Sequence, residues 1–406
     1  MVTKSKDLRT GRSVWEASRA TPVPHRRLTR DIETEVLVVG AGITGAIVAD
    51  ALSHEGFEVA VVDRRGPAKG STTASTALVQ YEIDTPLHKL ARRIGRRDAI
   101  RAWRRSRLAV DAIAARLGEL GVRGLERRDT LYLAGNLLDA DGLARERDAR
   151  LAAGFACRMI RRSELRHEFG IHAAAAIMSH GDLALDPRLA TCALLRGASA
   201  CGARIYAPVD VSDIDAKKSR VLATCKNGRT IRAKHLVLAT GYEFPNRVPQ
   251  RGHRIVSTWA IATARQPRRL WPSQCMIWEA ADPYLYARTT PDGRVICGGE
   301  DEDFSDETHR DALIAKKTRA LERKLHRLVP GIDSRAEFAW TGSFGQSAAG
   351  LPTIGPIPGM PNCWAALGYG GNGTTYSRIA ADVICGALTG RPDVDADLYG
   401  FRRARR

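Results

Sequence analysis

The stretch TEVLVVGAGITGAIVADALSHEGFEVAVVD, residues 34–63, decides the fold. An apolar run leads into Gly40, Gly42 and Gly45, a helical pattern follows, and a second apolar run ends at Asp63. In a strand–turn–helix–strand unit, such glycines allow a tight turn, close approach of a pyrophosphate and close helix–strand packing. The helix N-terminus offers free N–H groups, and Asp63 can accept hydrogen bonds from a ribose. The unit therefore predicts a dinucleotide site formed by Gly40, Gly42, Ile43, Thr44, Gly45, Asp63 and Arg64.

The next stretch, GSTTASTALVQYEID (70–84), distinguishes FAD from NAD. An NAD-binding unit usually continues into further βαβ repeats, whereas here a row of small hydroxyl residues follows the second strand. The stretch resembles the FAD-dependent amine and amino-acid oxidoreductases, the superfamily of D-amino-acid oxidase, glycine oxidase, sarcosine oxidase and D-amino-acid dehydrogenases. The resemblance implies that Gly70, Ser71, Thr72 and Ser75 contact the diphosphate and ribityl chain of FAD.

Three later segments resemble the same family, in the family's order: ARIYAPVDVSDI (203–214), HLVLATGYEF (235–244) and GLPTIGPIPGMPNCWAALGYGGNGTT (350–375). The first resembles the adenine-side strand, the second a strand that ends near the diphosphate, and the third the segment that covers the flavin. Backbone N–H groups of the last glycine-rich turn can bond the flavin carbonyl. The cofactor contacts implied by these segments are Val209, Ala239, Thr240, Gly241, Gly371, Asn372, Gly373 and Thr374.

The remaining pattern predicts two kinds of β structure. Hairpin signals occur at Asn227-Gly228 and Asp292-Gly293, in contrast to the βαβ unit near the N-terminus. We expect an α/β protein, in which an FAD-binding Rossmann-like domain of the glutathione-reductase type is interleaved with a mostly antiparallel β-sheet substrate domain. The expected parts are a basic surface arm (1–30), an FAD-binding domain (31–85, 145–245 and 340–400), a substrate domain (86–144 and 246–339) and a basic tail (401–406).

The resemblance implies oxidation of the C–N bond of an amine or amino acid by hydride transfer to the flavin N5, giving an imine that water hydrolyses. The electron acceptor would be O2 or a quinone or other electron carrier. Amino-acid members of the family place an arginine for the substrate carboxylate in the segment that is WTGSFGQSAAGLP (340–352) here, where Phe344 stands instead. The remaining substrate-side candidates are Arg288, Arg254, His253 and Tyr286, with Tyr284, Trp259 and Trp278 as further aromatic walls.

Covalent attachment of the flavin is not expected. Sarcosine-oxidase-like members use a cysteine, but Cys275 and Cys297 do not align with its position, and a lone His88 is more often a structural residue. The eight cysteines are scattered without zinc-site spacing, so we expect reduced thiols, no metal and noncovalent FAD. No apolar segment resembles a signal peptide or a membrane span, which predicts a cytoplasmic protein.

The net charge of +18 is localised. Residues 1–30, 88–107 and 401–406 hold the entire excess of basic residues, and the rest of the chain is neutral. These segments could contact an anionic membrane surface, whereas aromatic residues interleave with the arginines only at Trp103, which does not favour nucleic acid. An RNA-binding flavoprotein stays open as an alternative, as does an FAD-dependent hydroxylase, although CGGEDED (297–303) is a poor version of the hydroxylase G-D motif.

Overall fold

The computed structural model describes residues 2–3, 5–249 and 252–401. The helices are α1 (Ile43–His54), α2 (Leu87–Ile94), α3 (Arg96–Glu119), α4 (Ala140–Ala152), α5 (Arg162–His167), α6 (Pro187–Ala200), α7 (Glu307–Ala312), α8 (Ile314–Leu328) and α9 (Gly373–Leu388). The strands are β1 (Arg9–Gly11), β2 (Ile32–Val39), β3 (Val59–Val62), β4 (Leu78–Val79), β5 (Glu126–Leu133), β6 (Cys157–Arg161), β7 (Ala175–Ala184), β8 (Arg204–Tyr206), β9 (Val211–Lys217), β10 (Arg220–Cys225), β11 (Thr230–Leu238), β12 (His253–Thr263), β13 (Met276–Glu279), β14 (Leu285–Thr289), β15 (Val295–Glu302), β16 (Ala336–Ser347), β17 (Thr353–Pro356) and β18 (Cys363–Leu367).

The smaller sheet carries the dinucleotide unit. Its strand order is β17-β18-β11-β2-β3-β8, and the strands from β18 to β8 are parallel. The β9–β10 hairpin extends from β11. All four residues of β3 are buried, as expected for a central parallel strand covered on both faces. Helix α1, which is buried along most of its length, packs between α6 and α9.

The larger sheet is antiparallel except between β13 and β5. Its order is β1-β16-β12-β15-β14-β13-β5-β7-β4, with β6 paired to β7. The predicted fold class, a Rossmann-like domain interleaved with a mostly antiparallel sheet, is therefore confirmed. The predicted hairpin turns at Asn227-Gly228 and Asp292-Gly293 connect β10 to β11 and β14 to β15.

The division of the chain between the two sheets differs from the expected bounds. Residues 157–184, which we assigned to the FAD-binding domain, supply β6 and β7 to the larger sheet, because β7 pairs with β5 along most of its length. Conversely, α3 falls in the expected substrate segment but packs against α9 of the dinucleotide unit. Hydrophobic periodicity located these elements but carried no information about their tertiary partners.

Part of the N-terminal arm is built into the fold instead of lying on the surface. Strand β1 pairs with β16, and the arm then packs on the hydroxyl-rich loop that starts at Gly70. The Ser13 hydroxyl donates to the Thr73 carbonyl at 2.6 Å, and the Trp15 indole donates to the Ser75 carbonyl at 2.7 Å. Both side chains are buried. The basic composition of residues 1–30 gave no indication that the arm also carries an apolar contact surface.

The basic segment 88–107 makes intramolecular ion pairs. Arg101 contacts Asp395 and Asp397, and Arg105 contacts Asp382 and Asp393, each at less than 3 Å. Trp103 is fully buried, so it offers no stacking surface to a nucleic acid. Of the basic tail, residues 402–406 lie outside the described residues. Among the described helices, none is both long enough and apolar enough to cross a bilayer.

Candidate functional site

One large cavity runs along the junction of the two sheets and occupies about 1780 Å³, including its open mouth. Seventeen of the nineteen predicted cofactor contacts line it. They are Gly40, Gly42, Ile43, Thr44, Asp63, Arg64, Gly70, Ser71, Thr72, Ser75, Val209, Ala239, Thr240, Gly241, Gly371, Gly373 and Thr374. We call the part around Gly40, Asp63 and Val209 the nucleotide end.

Each glycine of the first turn is needed for a different structural reason. A Cβ at Gly45 would lie 1.8 Å from the Gly40 carbonyl oxygen, so this glycine allows α1 to pack on the turn without itself lining the cavity. Gly40 has a φ of +119°, and a Cβ there would lie 2.3 Å from the Ala239 carbonyl oxygen. At Gly42 a Cβ would meet only the Thr72 hydroxyl, at 3.2 Å, so the cradle is open for a ligand.

Asp63 shapes the nucleotide end. Its Oδ2 accepts the Ala41 N–H at 2.8 Å, and its Oδ1 accepts the N–H groups of Arg65 and Gly66 at 2.7 and 2.8 Å. The Val209 N–H donates to the Asp63 carbonyl. The carboxylate therefore fixes the turn through three backbone donors and still presents lone pairs toward a ribose.

Two arginines at the nucleotide end are neutralised by neighbouring acids. Arg64 lies 3.1 Å from Asp210 and 3.6 Å from Glu243. Arg65 also pairs with Glu243, and hydrogen bonding to this carboxylate raises the pKa of the Arg65 guanidinium. Because both arginines come immediately after Asp63 in the sequence, both cations lie at the nucleotide end.

The loop after Gly70 presents hydroxyl donors to the cavity. Thr72 accepts the Ile43 N–H at 3.0 Å, and Ser75 accepts the Ala77 N–H at 3.1 Å. Each hydroxyl thereby keeps its own proton for a ligand oxygen. The Ser71 hydroxyl is buried and has no hydrogen-bond partner among the described residues. An orphaned hydroxyl, an open glycine cradle and a helix N-terminus together fit the diphosphate of FAD.

The glycine-rich turn before α9 lies against the end of the 70–84 stretch. The Gly371 N–H donates to Asp84 Oδ2 at 2.8 Å, so this donor is occupied by a carboxylate within the protein. The Asn372 amide donates to the carbonyls of Gln80 and Glu82 at 3.2 and 2.8 Å. Unlike Gly373, Asn372 does not line the cavity. Its role is to hold the stretch that carries Asp84.

A buried charge network supports the same stretch from behind. The fully buried Arg150 donates to Glu82 at 2.7 Å and to Glu146 at 2.9 Å. Glu146 also contacts His88 Nδ1 at 2.6 Å, so His88 takes part in this network and not in the cavity lining. Burial raises the pKa of the neighbouring Asp182 carboxyl well above its usual value, with the nearby Glu82 charge adding to the shift.

At the other end, side chains from the larger sheet and from neighbouring loops form what we call the aromatic chamber: Asp84, Tyr242, Trp278, Tyr284, Tyr286 and Phe344. Trp278 and Tyr286 are cross-strand partners, and the Tyr284 and Tyr286 rings lie 5.3 Å apart. Burial raises the pKa of Tyr242, Tyr284 and Tyr286 above the usual phenol value, so all three are neutral at physiological pH. Trp259, a predicted wall residue, is instead buried in the core, where its indole donates to the Arg310 carbonyl.

Among the four substrate-side candidates, only Tyr286 lines the cavity. The buried Arg288 guanidinium donates to the carbonyls of Thr76, Leu185 and Thr289, and burial lowers its pKa to about 10. Arg254 is exposed and contacts Asp303 and Gln346. His253 Nε2 lies 3.2 Å from the Thr353 hydroxyl. The structure therefore brings neither arginine candidate nor His253 to the chamber.

All eight cysteines belong to the described residues, and none of them lines the cavity. Cys275 and Cys297, the two considered for flavin attachment, are completely buried in the larger sheet, and burial raises the pKa of both thiols. The segment CGGEDED, the weak hydroxylase motif, forms most of β15 and the residue after it, and it does not line the cavity.

The sequence prediction missed several lining residues, namely Thr3, Leu8, Arg65, Asp84, Tyr242, Glu243, Thr258 and Tyr369. Tyr242 and Asp84 both belong to stretches quoted for the family resemblance, so proximity to the motifs could have identified them. Thr3 and Leu8 carried no such signal, because the arm reaches the cavity through two long-range contacts, a bridge between Thr3 and Pro245 and the pairing of β1 with β16.

Comparison with known proteins agrees with this geometry. The chain is 24% identical over 430 residues to the tRNA 5-methylaminomethyl-2-thiouridine biosynthesis bifunctional protein MnmC of Cupriavidus necator, an alignment covering 95% of this chain but 62% of that protein. It is 25% identical over 394 residues to glycine oxidase of Geobacillus kaustophilus, covering 91% of this chain and 97% of the enzyme. The crystal structure of glycine oxidase from Geobacillus kaustophilus superposes with a TM-score of 0.75 at 22% identity, covering 92% and 99% of the two chains.

The family assignment rests on most of the chain. The family model described as FAD dependent oxidoreductase matches residues 35–386. This range contains the glycine turn, the hydroxyl-rich loop and the glycine-rich turn before α9, which all meet at the cavity. The chain thus belongs to the FAD-dependent oxidoreductase family of D-amino-acid oxidase type, and its cofactor is FAD.

Proposed function

We propose that this protein oxidises the C–N single bond of an amine or amino acid to an imine, which water then hydrolyses to a carbonyl compound and an amine. FAD supplies the acceptor for the two electrons and the hydrogen that leave the carbon. O2 or a quinone or other electron carrier would reoxidise it. The observation that carries the proposal is the continuity of the cavity from the nucleotide end into a chamber walled by aromatic side chains.

The chamber residues would position the substrate and exclude water. Trp278 stacks on Tyr132 with ring centroids 3.9 Å apart, which gives the chamber a rigid apolar wall. Neutral phenols at Tyr242, Tyr284 and Tyr286 can donate or accept one hydrogen bond each without adding charge. Since the flavin carries the redox chemistry, orientation of the reacting carbon is the main task left to the protein.

Noncovalent binding of FAD is part of the proposal. It is supported by the absence of cysteines from the cavity lining and by the pairing of His88 with Glu146. Denaturation of the purified, FAD-reconstituted protein should release all of the flavin into the supernatant. Yellow colour that stays with the precipitated chain would contradict this part.

The reaction is tested by anaerobic mixing of the FAD-loaded protein with amines, D- and L-amino acids and N-methyl amino acids. We expect loss of the oxidised-flavin absorbance with members of one of these classes. This readout does not depend on the identity of the electron acceptor. If NADH or NADPH reduces the flavin and no amine or amino acid does, the hydroxylase alternative replaces the proposal.

A second candidate is an amine carried on RNA, favoured by the similarity to a protein whose name places it in tRNA thiouridine biosynthesis. The ion pairs of Arg101 and Arg105 and the burial of Trp103 speak against an RNA-binding helix face. Binding of tRNA across a salt series tests it, because phosphate contacts weaken steeply with salt. Absence of binding at low ionic strength would remove this candidate.

A further inference from the structure

The charges in the aromatic chamber point to a narrower substrate class. Asp84 is the acidic side chain of this chamber, where it is exposed and lines the cavity. Its Oδ2 is held by the Gly371 N–H, whereas no hydrogen bond from the described residues reaches Oδ1. A carboxylate with one oxygen anchored and the other open to a cavity is suited to receive a cationic donor.

A second acid, Asp301, adds negative charge near Asp84, and none of the described cations forms an ion pair with Asp84. Asp301 lies next to Tyr284, and both of its carboxylate oxygens are buried. The Asp84 and Asp301 charges both act on Tyr284. Among the described residues, Arg64 and Arg65 are the only cations that line the cavity, and both pair with acids at the nucleotide end.

Within the part of the chain that the structure describes, the same chamber offers no cation to a substrate carboxylate. Phe344 lines it at the position where the resemblance would place an arginine. The Arg288 guanidinium donates hydrogen bonds to three backbone carbonyls, and Arg254 contacts Asp303 at the surface. A carboxylate entering the chamber would meet Asp84 without a compensating charge, and a desolvated like-charge contact opposes binding strongly.

The aromatic walls of the chamber also favour a cationic ligand. Faces of Tyr and Trp rings attract cations, and the attraction grows when water is excluded. Tyr284 and Tyr286 lie next to each other in the chamber, and Trp278 faces Tyr286 across the strand pair. An ammonium group at Asp84 would therefore contact one full negative charge and several electron-rich rings.

We propose that the aromatic chamber takes a protonated amine without a carboxylate on the reacting carbon, and that the Asp84 carboxylate binds its positive charge. The open Oδ1 of Asp84 then accepts one proton from the nitrogen, so that the amine is neutral when the hydride leaves the carbon. The inference rests on the proposed C–N oxidation and names its substrate class. Asp84 is then a substrate-binding residue. Phe344 disfavours amino acids, because it places an uncharged ring where a substrate carboxylate would need a cation.

The test uses pairs of probes that differ only in the carboxylate: benzylamine against phenylglycine, and isobutylamine against valine, with both enantiomers of each amino acid. Anaerobic titration of the FAD-loaded protein reports binding or reduction through the flavin spectrum. We expect each amine to half-saturate the protein at a concentration about tenfold or more below its amino acid. An amino acid that matches or outperforms its amine would overturn the inference.

The variant Asp84→Asn keeps an acceptor for the Gly371 N–H but removes the charge. It should raise the half-saturating concentration of each amine by about tenfold. The difference in half-saturating concentration between the amine and the amino acid of each pair should therefore become smaller. Asp303→Asn is the matched control, because this exposed acid at the end of β15 does not line the cavity and should leave both probes unaffected. An FAD-loaded Asp84→Asn protein with unchanged amine saturation would also contradict the role of Asp84.

The outcomes separate this inference from the proposed function. If amino acids alone reduce the flavin, C–N oxidation stands and the cation-selective chamber is wrong. If neither amines nor amino acids perturb or reduce the flavin, both proposals fail. Should Asp84→Asn lose FAD on purification, the comparison of the four probe pairs on the unmodified protein still decides the substrate class.

Discussion

At the nucleotide end of the cavity, most ligand-facing groups are backbone atoms and short hydroxyl side chains from continuous segments, residues 40–45 and 70–75. In the aromatic chamber, the lining comes from long side chains on segments that lie far apart in the chain, such as Asp84, Trp278 and Phe344. A glycine turn binds the diphosphate, which all dinucleotides share, through its backbone groups. Its sequence is therefore constrained. Side chains on a sheet surface can be exchanged one at a time, so the chamber can change its substrate while the nucleotide end stays the same.

The largest effect is expected at the glycine turn. In Gly45→Ala the new Cβ would lie 1.8 Å from the Gly40 carbonyl oxygen, so α1 must move away from the turn. We expect a cost of about 3 kcal/mol or more, and FAD retention after purification should fall by about 100-fold. The flavin-to-protein absorbance ratio and an FAD titration measure this.

Gly118→Ala provides the control. Gly118 lies in α3, has no positive φ, and an added Cβ would meet no atom within 4 Å. Alanine in a helix interior is favoured over glycine by about 0.5–1 kcal/mol, so this variant should keep its FAD and unfold at a slightly higher temperature. Retention of FAD by both variants would show that the turn tolerates a Cβ and that our account of Gly45 is wrong.

The second effect concerns the acid behind the chamber. Burial raises the pKa of Asp301 to about 6, although the hydroxyls of Thr258 and Tyr284 partly oppose the shift. Between about pH 4 and 6 the unfolded chain loses this proton while the folded protein keeps it, so the contribution of Asp301 to the unfolding free energy falls as pH rises. Asp301→Asn should therefore be more stable than the parent at pH 7, by on the order of 2 kcal/mol, with no difference at pH 4.

Thermal unfolding at the two pH values measures this difference. Asp333→Asn serves as a control of opposite sign, because hydrogen bonds from Arg335 lower the pKa of Asp333 to about 2. Its stabilising contribution is present above the unfolded pKa and is lost as pH falls, so this variant should gain nothing at pH 7. A parent protein whose stability advantage over Asp301→Asn grows with pH would refute the buried-acid assignment.

A third change tests whether the chamber can be converted. Phe344→Arg would introduce a cation where the chamber has none, and a bidentate contact to a carboxylate is strong and directional. We expect the ratio of amino-acid to amine reduction rates to rise by about tenfold, measured anaerobically with phenylglycine and benzylamine. Phe344→Leu controls for loss of the ring and should leave the preference for amines in place. An unchanged ratio in Phe344→Arg would mean that another feature sets the selectivity.

The smallest effect is expected at Ser71. Its hydroxyl is buried without a partner among the described residues, so Ser71→Ala should leave the unfolding temperature of the FAD-free protein unchanged or slightly raised. Loss of one hydrogen bond to the cofactor should weaken FAD binding by about 1 kcal/mol, or roughly fivefold. Thr73→Ala is a suitable comparison, since Thr73 is buried in the same loop but does not line the cavity. Equal FAD affinity in Ser71→Ala and the parent would argue against a contact at this hydroxyl.

The two ends also differ in how far the sequence revealed them. The glycine turn, Asp63 and the hydroxyl loop were predicted residue by residue, because their geometry depends on neighbours close in the chain. Asn372 and Trp259 were placed differently by the structure, since their contacts depend on which elements pack together. The same holds for Arg288, whose isolated appearance in a hairpin gave no sign of the three carbonyls around it. Asp84 was visible in a quoted stretch, but its importance depends on the absence of cations contributed by distant strands.

The position of the N-terminal arm has a consequence for how the protein matures. Strand β1 is synthesised before β16, with which it pairs although β16 lies more than 300 residues later in the chain. Contacts between such distant segments form late, because the loop between them must first be closed. The lining that Leu8 contributes beside β1 is therefore complete only after β16 has been synthesised. Tight retention of FAD would accordingly be a late event in biogenesis, timed by the C-terminal third of the chain.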